Sequence, residues 1–397
     1  ILGRTIMNYN ISRQAAALSP SLTLAIDAKA KAMKAAGEDV VGFGAGEPDF
    51  DTPAHIKEAC ARALADGFTK YTPAAGLPEL RAAIADKHQR ENGLAFKPSQ
   101  IIVSCGGKHS CFNVIFATCQ EGDEVIIPAP YWLSYPEMVK MAGARPVIVP
   151  TTDRTEFKLT ADALRAAITP RTRLFILNSP SNPTGSVYTP DEIKALGDVC
   201  LEHRVLIMSD EIYEHLLYDG AVARSVAGCS PAHAAQTIIV HGFAKAWSMT
   251  GWRLGWCAAP EPIARAIDAV QSHSTSNPTS FAQKGAVAAL TGPQDHLQTW
   301  LAEFDRRRTR AWNALNRIPG LSCVKAKGAF YLFPNIAGTG LKSTDFCARL
   351  LEAEKVAAVP GIAFGADDYI RLSYATSMAN IEKGLERIER FCRSLAR

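Results

Sequence analysis

Nowhere in the 397-residue chain is there an apolar run long enough to cross a bilayer. Ile1 to Asn10 also lacks the hydrophobic segment and small-residue cleavage site of a secretory signal, and Met7 is a candidate native start with Ile1 to Ile6 upstream of it. An excess of one charge is missing as well. The 43 Lys and Arg against 39 Asp and Glu leave a formal charge of only +4, so nothing calls for nucleic acid or an anionic membrane as a partner. The ten cysteines include no pair at CxxC spacing, and no Cys/His cluster has the spacing of a zinc site. They read as reduced thiols, mostly buried, in a cytoplasmic protein without a structural metal. No internal repeat or low-complexity segment occurs. No strand-like run is followed by GxGxxG, which leaves a nicotinamide-dependent dehydrogenase without support.

The length is too great for one ordinary hydrophobic core, so two domains are expected. Aliphatic runs recur at Ile101–Val103, Glu124–Ile127, Pro146–Val149, Leu174–Leu177, Val205–Met208 and Ile238–Val240. They are continuous rather than alternating, as strands covered on both faces should be. Helical patterns lie between them, one opened by the capping box Thr189-Pro190-Asp191-Glu192. Strands alternating with helices imply an α/β domain with a largely parallel sheet. The C-terminal third reads as a smaller α+β unit. Lys325–Phe333 and Tyr369–Tyr374 look like strands, and Ile381, Leu385, Ile388, Phe391 and Leu395 mark an amphipathic closing helix. The dense basic run Arg306-Arg307-Arg308 with Arg310 is expected to be a solvated helix face.

Open α/β sheets bind ligands beyond the carboxyl ends of their strands. Four of these runs lead into chemistry-bearing residues: Ser104-Cys105-Gly106-Gly107-Lys108, Asn178-Ser179-Pro180-Ser181-Asn182-Pro183-Thr184-Gly185, Ser209-Asp210-Glu211-Ile212-Tyr213 and His241-Gly242-Phe243-Ala244-Lys245. Singly, an Asp at a strand end is usually a turn former and a loop lysine usually solvated. Together they place an amide, a carboxylate, a phenol, a lysine and a glycine-rich turn along one sheet edge.

This combination resembles the class I aminotransferases of the fold-type I pyridoxal-5′-phosphate (PLP) enzymes. The resemblance runs from Gly46-Glu47-Pro48-Asp49-Phe50 to Tyr369-Ile370-Arg371-Leu372-Ser373. Its most specific element is Lys245-Ala246-Trp247-Ser248-Met249-Thr250-Gly251-Trp252-Arg253-Leu254-Gly255, with Asn182-Pro183-Thr184-Gly185 and Asp210-Glu211-Ile212-Tyr213 beside it. Within the family the chain looks most like the bacterial aspartate enzymes with a Gly-Gly-Lys loop. The resemblance implies a mainly parallel seven-stranded sheet in a large PLP-binding domain over residues 51–289. It implies a small α+β domain over 21–50 and 290–397, an N-terminal arm over 1–20, and a homodimer.

By that resemblance Lys245 forms the Schiff base and then moves the proton between substrate and cofactor. Asp210 keeps the ring nitrogen protonated, while Asn182 and Tyr213 donate to the ring's phenolate oxygen. Trp132 stacks on the ring. The Gly107-Lys108 turn at a helix start and Arg253 hold the phosphate, and Tyr71 reaches the phosphate of the neighbouring subunit. A core or surface aromatic is the alternative for Trp132 and Tyr71. Arg371, assisted by Asn182 and Gly46, takes the substrate α-carboxylate; its alternative is a surface ion pair with Asp367 or Asp368. Lys108 and Thr23 match the residues that hold the side-chain carboxylate in the Gly-Gly-Lys aspartate enzymes. Many relatives have Ser where Gly242 stands here, so one phosphate hydrogen bond is expected to be missing or replaced. His109 and His241 match no family role and are expected to be packed or solvated. The implied reaction is ping-pong transamination between aspartate and 2-oxoglutarate. Prephenate, aromatic or neutral amino-acid specificity is the alternative, and a non-catalytic PLP-binding regulator is a distant one.

Overall fold

The computed structural model describes residues 10–395, so the candidate start at Met7 lies outside the described residues. Seven strands form the main sheet: β1 (Ile101–Ser104), β2 (Glu124–Ala129), β3 (Arg145–Pro150), β4 (Thr172–Asn178), β5 (Leu206–Asp210), β6 (Thr237–Gly242) and β7 (Gly255–Ala258). Their order is β1-β7-β6-β5-β4-β2-β3. All neighbouring pairs are parallel except the two made by β7. Helices on both faces leave side chains buried in alternation. Val125, Ile127, Leu174 and Ile176 enter one apolar cluster, whereas Ile126, Phe175, Leu177 and Ile207 enter another. Both faces of the inner strands are therefore apolar, which explains the continuous runs. The expectation fails at β3, which ends the sheet and is half exposed. It also missed β7, whose Gly255-Trp256-Cys257-Ala258 is short and carries no β-branched residue.

A separate apolar cluster joins Val41 and Phe43 to Phe330, Tyr331, Leu332, Ile370 and Leu372 and to the closing helix Met378–Leu395. That helix buries Ile381, Leu385, Ile388 and Phe391 as its spacing foretold. Two small sheets sit here. Val41–Gly42 pairs parallel with Val356–Ala357, and Ile370–Ser373 lies antiparallel between Val359–Pro360 and Tyr331–Leu332. Only Tyr331–Leu332 of the expected Lys325–Phe333 strand is extended and paired as a strand.

The basic run corrects a further expectation. It lies in the helix Asp295–Leu315, but Arg307 and Arg308 are buried rather than solvated. Arg308 donates to Asp219 (2.8 Å) and Asp305 (2.5 Å), and Arg307 donates to Asp49 (2.7 Å) and Glu303 (2.8 Å). Charge density alone does not distinguish a solvated face from one whose carboxylate partners arrive from distant sequence.

Candidate active site

The carboxyl ends of β1, β4, β5 and β6 open on a cleft of about 450 Å³. Its walls include Gly46, Gly107, Lys108, Trp132, Asn182, Asp210, Tyr213, Lys245, Arg253 and Arg371, and helix α1 (Leu22–Ala35) contributes Thr23. Of the sequence-derived candidates, only Tyr71 lies outside it. That ring is 90% exposed, which excludes the core alternative for it.

After β1 the chain turns at Gly106 into helix α2 (Gly107–Thr118). Gly106 has φ +95°, and a Cβ there would stand 2.5 Å from an Arg253 nitrogen. Gly255 comes so close to this turn that a Cβ would meet the Gly107 nitrogen at 2.3 Å. Only glycine permits both approaches. Gly242 belongs to the same packing, because a Cβ on it would press on the Gly255 Cα at 3.1 Å. A serine there would require β7 to give by a few tenths of an ångström. The first N–H groups of α2 and the Arg253 guanidinium thus converge on one spot, a ready anion cradle. Arg253 is held by its bonds to the Thr250 carbonyl (2.8 Å) and the Cys105 carbonyl (3.4 Å).

Lys245 stands on the turn after β6. Its Nζ donates to the Gly46 carbonyl at 2.5 Å and lies 5.6 Å from the centre of the Tyr213 ring. Burial and then the Arg371 charge lower its pKa to about 8. Asp210 ends β5 and is buried; burial raises its pKa, while the Tyr135 hydroxyl and the Ile212 N–H oppose that rise. Tyr213 exchanges a hydrogen bond with Tyr331 at 2.9 Å. Trp132 packs edge to face with Tyr135, with ring centres 5.2 Å apart.

Arg371 is 2% exposed on the strand Ile370–Ser373. It donates to the Asn182 side-chain oxygen (3.0 Å) and the Gly44 carbonyl (2.7 Å), beneath the rings of Tyr331 and Phe364. The surface ion-pair alternative fails: Asp368 is bonded to Lys342 at 2.6 Å and Asp367 to Ser343 at 2.5 Å. The Arg371 Nε is buried without a partner, and so is the Thr23 hydroxyl. Among the described residues no carboxylate forms an ion pair with Lys108, Lys245, Arg253 or Arg371, whereas the nearby Lys31 is neutralised by Asp27 at 2.8 Å. Unpaired cations and orphaned donors around one cleft are the signature of a site built for anions.

Sequence reasoning missed Tyr135, Tyr331 and Glu47, the last of which accepts a hydrogen bond from Thr250 at 2.9 Å. It also missed a buried polar network behind Lys245. There the Lys87 ammonium bonds Glu214 and Asn92, and the His241 Nε2 lies 2.9 Å from a Glu214 oxygen. The donor atoms of Glu214, His215 and His241 lie within 4.8 Å of one another, close enough for a metal. Lys87 already supplies the cation on Glu214, so the group needs none. His241 is thus a packed histidine. His109 accepts the Cys105 N–H at 3.3 Å. No described cysteine is paired; Cys111, Cys119, Cys200, Cys257, Cys347 and Cys392 are buried. No helix among the described residues is long and apolar enough to cross a membrane.

The buried Lys245 amine with its lowered pKa, beside a buried carboxylate and an anion cradle, suits an enzyme site that takes anionic ligands. Comparison with known proteins then places the chain. Residues 38–388 match the family "Aminotransferase class I and II". The aspartate aminotransferase of Geobacillus stearothermophilus is 52% identical over 97% of this chain and all of that one. The aspartate/prephenate aminotransferase of Nitrosomonas europaea is 47% identical over 95% of this chain and 98% of its own. The crystal structure of the aspartate aminotransferase from Rhizobium meliloti superposes with a TM-score of 0.93, at 44% identity, over 97% of this chain and 99% of that one. The chain belongs to the class I and II aminotransferases.

Proposed function

We propose that this enzyme is a PLP-dependent aminotransferase that exchanges amino groups between aspartate and 2-oxoglutarate in a ping-pong cycle. The observation that carries the reading is the set of cleft cations without carboxylate partners. The α2 turn and Arg253 suit a phosphate, Arg371 suits an α-carboxylate, and Lys108 with Thr23 suits a second carboxylate. The residues fit the cofactor: Lys245 would carry it, Asp210 would hold the proton on its ring nitrogen, Asn182 and Tyr213 would donate to its phenolate oxygen, and Trp132 would stack on its ring. When bound, it supplies an aldehyde to take up the amino group and a ring to receive electrons.

This chain's own residues then do the rest. Arg371 orients the α-carboxylate through a planar fork that a lysine lacks. The Lys245 amine, its pKa lowered to about 8, is poised to take the proton from the substrate α-carbon and return it. Tyr71, exposed on the single chain, completes the phosphate site of a second copy, so the working form is a homodimer. Residues 51–289 form the cofactor-binding domain and 21–50 with 290–395 the small domain; of the arm over 1–20, residues 1–9 lie outside the described residues. The ten cysteines, with no described one paired, agree with a reducing cytoplasm.

A donor panel tests the specificity. Truncating one partner of a desolvated charge pair costs roughly 2–5 kcal/mol. Lys108→Ala should therefore lower kcat/KM for aspartate far more than for alanine or phenylalanine. Equal losses for acidic and neutral donors would remove the aspartate assignment. The Nitrosomonas europaea relative makes prephenate the acceptor to include beside oxaloacetate and 2-oxoglutarate.

A further inference from the structure

Asp210 is buried with no cation in ion-pair contact among the described residues, yet it has to remain a carboxylate if it is to hold a proton on a neighbouring ring nitrogen. What surrounds it is specific. The Tyr135 hydroxyl donates to Oδ2 at 2.5 Å, and the Cys111 thiol stands 3.8 Å from the same oxygen. Oδ1 receives only the Ile212 N–H, at 3.3 Å, and so retains an acceptor site. Tyr135 is 1% exposed on α3 (Ser134–Met141), and its backbone N–H bonds the Trp132 carbonyl at 3.0 Å. The turn leading into α3 thus carries the aromatic wall of the cleft, and the first turn of α3 carries the donor to its carboxylate. The titratable groups facing Asp210 are Cys111 from α2, Tyr135 from α3, and Tyr213 and Lys245 from the loops beyond β5 and β6.

We propose that Tyr135 is a positioning residue for the cofactor: its hydroxyl ties up Oδ2, leaves Oδ1 for the ring nitrogen, and decides on which of the two the shared proton rests. The proposal depends on the PLP reading above. A proton between a buried carboxylate and a pyridine nitrogen can sit on either. The ion pair, with the proton on nitrogen, gains from every hydrogen bond donated to the carboxylate; the neutral pair does not. Burial keeps the Tyr135 phenol itself protonated, and the Cys111 thiol likewise, so both act only as donors. Removing the phenol hydroxyl leaves Asp210 as a better base, and the proton passes from nitrogen to Oδ1.

The test is Tyr135→Phe, compared with wild type as holoenzymes carrying ring-¹⁵N-labelled PLP. The expected result is a ¹⁵N resonance moved toward the unprotonated value, with the aspartate half-reaction slowed about ten- to 150-fold, the worth of one hydrogen bond to a charged group. Reconstitution with N-methylated PLP, whose ring charge cannot be lost, should remove most of the difference between variant and wild type. Cys111→Ala, which removes the longer and weaker donor, should shift the resonance the same way by less. An unchanged resonance in Tyr135→Phe, even with a lower Tm, would overturn the proposal and leave the phenol a packing group. So would equal losses with both cofactors. Wild-type enzyme with no PLP attached at Lys245 would instead overturn the cofactor reading, and this proposal with it.

Discussion

Replacing Arg371 with lysine keeps the charge and removes the fork, which makes it the sharpest probe of the cleft. The guanidinium has five N–H donors. The Gly44 carbonyl and the Asn182 oxygen take one each, and the buried Nε has none of the protein to bond. Three N–H groups remain, Nε–H and one on each terminal nitrogen, and an adjacent two of them can grip a carboxylate in parallel bonds. An ammonium at that depth makes one. The lost bond is charge-assisted and desolvated, worth about 1.5–3 kcal/mol, so Arg371→Lys should lower kcat/KM about ten- to 150-fold. Because every amino acid presents the same α-carboxylate, the loss should be equal for aspartate, alanine and phenylalanine, in contrast to Lys108→Ala. Thermal unfolding gives a second readout. An unreactive dicarboxylate at about 100 times its Kd should stabilise the wild-type holoenzyme by about 2.7 kcal/mol, and should stabilise Arg371→Lys less at the same concentration. A loss confined to acidic donors, or no loss at all, would refute the α-carboxylate role.

Lys245→Ala should still bind PLP through Arg253 and the α2 turn but yield no borohydride-fixed adduct, and mass spectrometry placing an adduct on another lysine would refute the assignment. Glu211 is buried beside Asp210 and its pKa is raised to about 7, chiefly by burial. From about pH 4.5 to 7 the folded state therefore binds more protons than the unfolded one, and this group makes stability fall as pH rises through that window. Glu211→Gln should be more stable than wild type at pH 8 and no more stable at pH 4, measured by urea unfolding. If Tyr71 acts across subunits, mixing inactive Lys245→Ala with impaired Tyr71→Ala chains should restore activity, since the hybrid contains one site with both residues; no recovery in verified hybrids would place Tyr71 elsewhere.

The architecture was legible because inner parallel strands need apolar residues on both faces, and runs such as Leu174–Leu177 and Ile238–Val240 record that directly. The strand ends were legible for the complementary reason. A polar cluster such as Asp210 to Tyr213 that directly follows an apolar run has to emerge at the sheet edge. What failed were features set by neighbours in space. β3 is an edge strand because no further strand among the described residues covers it, and β7 is a strand only because β1 and β6 flank it. Arg308 reads as surface until Asp219 and Asp305 are brought to it by the fold.

The same limit divides the site itself. The groups proposed to touch a ligand line the cleft where the chain leaves the sheet, and their position after the apolar runs made them legible. Groups that act on those groups carry no such mark. Tyr135 meets Asp210 across 75 residues, and Lys87 meets Glu214 across 127. Each is a buried polar side chain that a low-dielectric interior tolerates only when it is bonded. Desolvation pushes Asp210 toward its neutral form, so a carboxylate useful to a cationic ring has to be accompanied by donors that keep it ionised. That requirement follows from the chemistry of the site, but which residue meets it is settled only when α3 packs over β2 and β3 and brings the phenol of Tyr135 to the end of β5.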